Sequence, residues 1–299
     1  MRQVRAFARL ARPAFLLGGF AGFGLGAAVA RYDGFALDWQ AYLWGQLIVT
    51  AFHLMVHFAN DYFDQASDAL ATRTPWSGGS GALRDGALPP WVALVAARVC
   101  AAIGLLATLR AALTGDVVVA FVALAIAGLA WTYSAPPVRL LARGLGELDA
   151  IAVVAVLVPL AGYAAFAHEL GAHAVLATLP GVCAMFAMMI SVEIPDVAAD
   201  SATGKRNLVV RWGVAYAAIA ARTFATSAVL LLLLVGNAAF GAPAAAFLAV
   251  VPVAIIAGAF AVPHYVAHLP FASLPFLGVA LYGLTACAGI VVVLAASVA

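Results

Sequence analysis

The sequence predicts an all-α, multi-pass membrane protein with about nine transmembrane helices, and three observations carry that prediction. Of its 299 residues, 66% are hydrophobic and only 9% are charged, against roughly 25% charged in a soluble domain. The apolar residues fall in runs long enough to cross a bilayer. The basic residues gather on alternate connections between those runs, as positive charge does in membrane proteins. No single soluble core could absorb this much apolar surface. A net charge of +2 gives no basis for a nucleic-acid partner. Cys100, Cys183 and Cys287 each sit inside an apolar run without metal-ligand spacing and read as buried filler. One domain over residues 1–299 is expected.

The first apolar run, 13–30, follows Arg2, Arg5, Arg9 and Arg12. It is long for a signal peptide and another span follows it, so it reads as a transmembrane helix with a basic flank. Further spans are predicted at 38–60, 90–112, 116–133, 148–167, 174–194, 212–236, 243–262 and 272–297, each near the length a bilayer core requires. This count puts Arg2, Arg5, Arg9, Arg12, Arg73, Arg84, Arg139, Arg143, Lys205, Arg206 and Arg211 on the N-terminal side. Only Arg31 and Arg110 fall opposite. The positive-inside rule then makes the N-terminus cytoplasmic and the C-terminus external, with a bacterial plasma membrane as the expected location. The long connections 62–89 and 195–211 are expected to act as lids or binding loops.

Two acidic trios close two of these spans with the same spacing. Asp61, Asp64 and Asp68 end the second, and Glu193, Asp196 and Asp200 end the sixth. At i, i+3, i+7 each trio would line one face of a helix. The repetition four spans apart hints at two related halves. Acids at membrane depth are costly and mark functional sites. Two facing carboxylate sets repel unless a cation joins them, and Mg²⁺ commonly shares carboxylates with a substrate's phosphates. Asn60 adds an amide oxygen beside Asp61 and Asp64. Glu193 is equally readable as the partner of a basic residue. Arg73, Lys205 and Arg206 follow the two trios and would help bind and release a diphosphate. His53 and His57 share a face with Asp61; their i, i+4 spacing could bind a metal or haem, or place them as polar groups lining a cavity. Tyr62, Phe63, Trp131 and Tyr133 fall near the same ends of the spans, as aromatic faces for a cation or as interface aromatics.

The segments Asn-Asp-Tyr-Phe-Asp-Gln-Ala-Ser-Asp at 60–68, Arg-Thr-Pro-Trp-Ser-Gly-Gly-Ser-Gly-Ala-Leu at 73–83, Tyr-Ser-Ala-Pro-Pro at 133–137, Gly-Leu-Gly-Glu-Leu at 144–148 and Asp-Val-Ala-Ala-Asp-Ser-Ala-Thr-Gly-Lys-Arg-Asn-Leu at 196–208 resemble the UbiA superfamily of intramembrane prenyltransferases. The resemblance implies nine helices around a central cavity, capped on the cytoplasmic side. It also implies Mg²⁺ held by Asp61, Asp64, Asp196 and Asp200, a prenyl diphosphate donor, and an aromatic or quinone-precursor acceptor. Asp68 and Lys205 join these four as expected catalytic residues, with Asn60, Arg73, Arg206, Tyr133 and His57 binding substrate. The Ser-Gly-Gly and Gly-Lys-Arg-Asn-Leu stretches are most similar to the menaquinone branch, which prenylates 1,4-dihydroxy-2-naphthoate. Asn207 stands where that branch usually has Thr, and His57 where it often has Asn. The Tyr-Ser-Ala-Pro-Pro loop is closer to the chlorophyll and homogentisate branches, so the acceptor stays open. The rival class is a cation or proton-coupled transporter, which would require ionisable groups through both membrane faces.

Overall fold

The computed structural model describes residues 1–71, 73–261 and 274–298. The predicted eighth and ninth spans each reach slightly past these, at residue 262 and at residues 272 and 273. All regular structure among the described residues is helical. Seven segments are long and apolar enough to cross a membrane, and two shorter apolar helices accompany them. The nine predicted spans therefore each correspond to a helix.

α1 (Arg2–Leu10) and α2 (Pro13–Tyr32) are separated by a break at Arg12, whose backbone is left-handed at φ 47°. α1 is amphipathic: Ala6 and Leu10 are buried while its arginines face outward. The predicted basic flank is thus a short helix of its own. It is tied to the following loop by Arg9, which holds the Asp85 carboxylate at 2.9 Å, and by Arg2, which donates to the Asp85 carbonyl at 3.0 Å. α3 (Trp39–Phe63) is capped by the Asp38 side chain, which accepts from the Ala41 N–H at 2.8 Å. It ends beside the short α4 (Gln65–Leu70). α5 (Pro90–Leu113) and α6 (Val117–Thr132) form an antiparallel pair.

The next span is composite. α7 (Gly146–Ala150) runs into a π-helical stretch, Ile151–Leu157, and then α8 (Val158–Ala167). π-helical turns widen a helix locally and often accompany functional sites. α9 (Ala172–Glu193) passes through a 3₁₀ turn at Ile194–Asp196 into α10 (Val197–Ala202). α11 (Leu208–Trp212), α12 (Val214–Ala238), α13 (Pro243–Ala259) and α14 (Leu274–Ala296) complete the order.

The spans close into a ring. α2 packs on α8 and α14, α3 on α5 and α6, α9 on α12 and α14, and α13 on α12 and α14. One apolar cluster fills the α2–α3–α5–α6–α8 side and a second fills the α9–α12–α13–α14 side. Where α2 crosses α8, Gly26 faces the Pro159 carbonyl and Gly162 faces the Phe23 carbonyl, leaving no room for a Cβ on either. Small residues permit this backbone approach between membrane helices.

Candidate active site

The first acidic motif does not lie on one uninterrupted helix. Asp64 closes α3 and opens α4, with backbone φ −100° and ψ 10°. The chain therefore turns a corner inside the motif. Asp64 and Asp68 face the second motif, whereas Asp61 faces the α1–α2 junction. In the second motif Pro195 lacks an N–H and sits in the 3₁₀ turn, so the helix is re-aimed there. Asp196 and Asp200 thereby meet Asp64 and Asp68 across one cavity of about 100 Å³, whose wall also includes Asn60, Tyr133, Glu193 and Lys205.

Lys205 joins the motifs. Its Nζ donates to Asp64 Oδ2 at 2.9 Å and lies 3.3 Å from Asp200 Oδ1. Burial pushes the Lys205 ammonium down, but Asp64 and Asp200 more than offset it, and the group is held above the ordinary lysine value. Asn60 donates to Asp64 Oδ2 at 2.8 Å and to Ser134 Oγ at 3.0 Å. Asn207 donates to Asp200 Oδ2 at 2.8 Å while its Oδ1 accepts from the Val210 N–H and caps α11. One amide thus serves two ends that a hydroxyl could not serve in the same way.

The loop between α4 and α5 covers both motifs. The Gly78 N–H donates to Asp196 Oδ2 at 2.9 Å, and Ser80 donates to Asp61 from both its N–H and its hydroxyl. Gly79 has φ 71°, and a Cβ there would run into the Asp68 carboxylate. The Gly-Gly pair therefore permits a close pass over the acids. Arg12 completes the site, donating to Asp61 and to Asn60.

Two of the expected site residues stand apart from this cavity. Asp61 does not line the cavity of the other four aspartates, because Arg12 and Ser80 take up its carboxylate from the other side. Arg206 is exposed and lines neither this cavity nor the larger chamber beside it; its backbone N–H donates to the Ala142 carbonyl at 3.0 Å. Arg73 is exposed at a neighbouring crevice that it shares with Arg9, Arg12 and Trp76. His57 is buried against the Ala11 carbonyl at 2.9 Å, and with His53 it lines a larger chamber. Arg12 had no signal as a site residue in the sequence, and Gly78 and Ser80 were marked only as part of the 73–83 segment, without individual roles.

That chamber, about 390 Å³, adjoins the acidic cavity and shares Arg12, Asn60, Trp76, Tyr133, Met189 and Val192 with it. Most of its wall is apolar and comes from α2, α3, α9, α14 and the π-helical stretch. Leu17 and Cys287 line it and are also exposed on the outside of the bundle, so it reaches the lipid-facing surface between α2 and α14.

Among the described residues, no three His, Cys, Asp or Glu side chains already converge on a metal position. Arg12 and Lys205 lie among the carboxylates and neutralise them. Even so, among the described residues Asp196 Oδ1 is buried without a hydrogen-bond donor. Buried, unsatisfied carboxylate oxygens at a cavity wall are costly unless a cation meets them. An all-oxygen donor set of this kind suits a hard divalent ion. Burial, reinforced by Asp61 and Asp64 and opposed by Arg12, pushes Asp68 up to about 7. A carboxylate must lose its proton to bind a metal. Affinity for Mg²⁺ should therefore weaken as pH falls below 7, by about tenfold per unit for one competing proton. Titration calorimetry at several pH values checks this, and Asp68→Asn should flatten the dependence.

The fold and the site together define an integral membrane protein with an acid-lined pocket leading into a lipid-accessible chamber. The UbiA prenyltransferase family profile matches residues 19–269, and the chain belongs to that family of enzymes. Among solved structures, a UbiA homolog from Archaeoglobus fulgidus bound to GPP and Mg²⁺ superposes with a TM-score of 0.63 at 18% identity, over 98% of this chain and 100% of that one. An apo UbiA homolog from Aeropyrum pernix K1 gives 0.65 at 18% identity, over 91% and 97%. A digeranylgeranylglyceryl phosphate synthase structure gives 0.60 at 17% identity, over 99% and 100%. At such identities the likeness is one of fold. No curated protein matches the sequence.

Proposed function

We propose that the chain is a Mg²⁺-dependent prenyltransferase of a single domain, moving a prenyl group from a prenyl diphosphate to an aromatic or quinone-precursor acceptor. One observation carries this reading: two aspartate motifs face each other across a small polar cavity that opens into an apolar chamber. A diphosphate head and a prenyl tail need that pairing of environments. The Archaeoglobus homologs bound to GPP or DMAPP with Mg²⁺ make it the natural assignment for the cavity.

Asp64, Asp68, Asp196 and Asp200 would hold the metal, with Asp61 fixing Arg12 and the covering loop behind them. When bound, Mg²⁺ supplies the charge that neutralises the leaving diphosphate. Lys205 and Arg12 add fixed positive charge at the same place, where it counts most in a dry site. Tyr133, at the seam between cavity and chamber, presents an aromatic face near the breaking allylic bond. The loop at 73–83 and α1 keep water from trapping the cation as an alcohol. The chamber's lipid-side opening accommodates a long tail. Arg12 also has a buried Nε–H without a partner, which suits an acceptor carboxylate. Together with the Gly-Lys-Arg-Asn-Leu stretch, this makes 1,4-dihydroxy-2-naphthoate the first acceptor to test, with homogentisate-, 4-hydroxybenzoate- and chlorophyllide-like compounds as alternatives. We place the protein in a bacterial plasma membrane with the acidic end cytoplasmic.

The test is mass spectrometry of products from purified protein, Mg²⁺, a set of prenyl diphosphates and this acceptor panel. A liposome flux assay runs beside it on the same preparation. Mg²⁺-dependent prenylated product without ion flux is expected. Flux without product would favour a transporter.

A further inference from the structure

Asp149 is the one acid of the chamber that the two motifs do not use. It sits in α7, two residues before the π-helical stretch, and is only 6% exposed. Its carboxylate lines the 390 Å³ chamber and not the acidic cavity. Its Oδ1 is buried with no hydrogen-bond donor among the described residues. The neighbouring Glu147 turns the other way and accepts from the Leu208 N–H. A buried carboxylate oxygen without a partner costs free energy that a structural role would have removed. A ligand O–H in the chamber would bring this carboxylate the donor it lacks. Its chain neighbours Ala150, Val153 and Val154 line the chamber with it, as does Tyr133, which feels the Asp149 charge; a largely apolar wall with few polar groups suits a flat ring.

We propose that Asp149 is the acceptor-side catalytic residue, accepting a hydrogen bond from a ring hydroxyl of the acceptor and taking its proton as the ring attacks. The role rests on the prenyltransferase reading above and adds to it the requirement for a hydroxylated acceptor. In the step, the O–H electron pair moves into the ring and a ring carbon forms a C–C bond to the allylic carbon. The allylic C–O bond breaks with its electron pair leaving on the diphosphate, and Asp149 holds the hydroxyl proton. The substituted ring carbon then loses its hydrogen as a proton to the diphosphate, and Asp149 returns its own proton to the oxygen. The aromatic ring and the carboxylate are both restored.

The experiment compares the full-length wild type with Asp149→Asn and Asp149→Glu in detergent. The probes are geranyl diphosphate, Mg²⁺, 1,4-dihydroxy-2-naphthoate and its two mono-O-methyl ethers. Asn preserves shape, and because Oδ1 has no donor among the described residues, the substitution removes no hydrogen bond at that atom. Asp149→Asn should bind geranyl diphosphate as the wild type does but transfer about 100-fold more slowly, with Asp149→Glu recovering part of the loss. One methyl ether should be strongly disfavoured by the wild type yet no worse than the parent compound in Asp149→Asn. Wild-type transfer by Asp149→Asn overturns the proposal. So does loss of donor binding in parallel with transfer, or an equal ether penalty in both proteins. A wild type that binds the donor but prenylates no acceptor of the panel overturns the reaction itself, and this role with it.

Discussion

Asp64→Asn and Asp196→Asn should each lower prenyl transfer by about 10²–10³-fold, while Arg143→Gln stays near the wild type. Each Asn keeps the size of the side chain and removes a hard anionic oxygen from the cavity where the two motifs meet. Asp64 is the more exposed to this change in a second way. It anchors both Lys205 and Asn60 through Oδ2, so its neutralisation also loosens the cation that joins the motifs. Among the described residues Asp196 is held only by the Gly78 N–H, with its Oδ1 unpaired, so its loss should fall more purely on metal binding. Arg143 donates to the Pro137 carbonyl at 3.0 Å on the exposed surface and touches neither cavity. Steady-state turnover at saturating Mg²⁺, with Tm as a control for folding, checks the set. Equal losses in all three variants would mean that the acids act through bulk charge and not as ligands.

The spans were readable because twenty apolar residues in a row have one physical solution, and the acidic trios because charge at membrane depth stands out against it. What the spacing could not convey is the corner at Asp64. Periodicity presumes that a helix continues, and nothing local announces that α3 stops there. The same limit hid Arg12. As one of four arginines before the first span it reads as orientation charge, and its contact with Asp61 spans 49 positions of sequence. Ser80 and Gly78 reach their carboxylates over 19 and 118 positions. Arg206 failed in the opposite sense. It adjoins Lys205 in sequence, but the backbone places consecutive side chains on different sides, and only Lys205 is buried. Asp149 was visible only as one more acid on the cytoplasmic side, and its isolation in the chamber emerges only once the surrounding helices are in place.

Removing the metal should have the second large effect: with a chelator present, binding of a prenyl diphosphate should weaken by about a thousand-fold. The cavity wall carries Asp64, Asp68, Asp196, Asp200 and Glu193, against Lys205 and the nearby Arg12. A diphosphate brought to this wall alone meets more negative charge than positive. One uncompensated pair of like charges at 4 Å costs about 4 kcal/mol at an effective dielectric of 20, which corresponds to about three orders of magnitude in Kd. Lys205 and Arg12 cannot make up the difference, because each is already engaged with carboxylates. The same reasoning predicts how Lys205→Met behaves. Without Mg²⁺ it leaves Asp64 and Asp200 facing each other with no cation between them, so Tm should fall. Added Mg²⁺ should restore more Tm in this variant than in the wild type, since the ion then takes over the bridging charge. Calorimetric binding of a non-reactive thio analogue of geranyl diphosphate, with and without chelator, measures the first effect, and a Mg²⁺ titration of Tm measures the second. Tight donor binding that ignores the chelator, together with a Lys205→Met variant indifferent to Mg²⁺, would show that the two aspartate motifs are not a metal site.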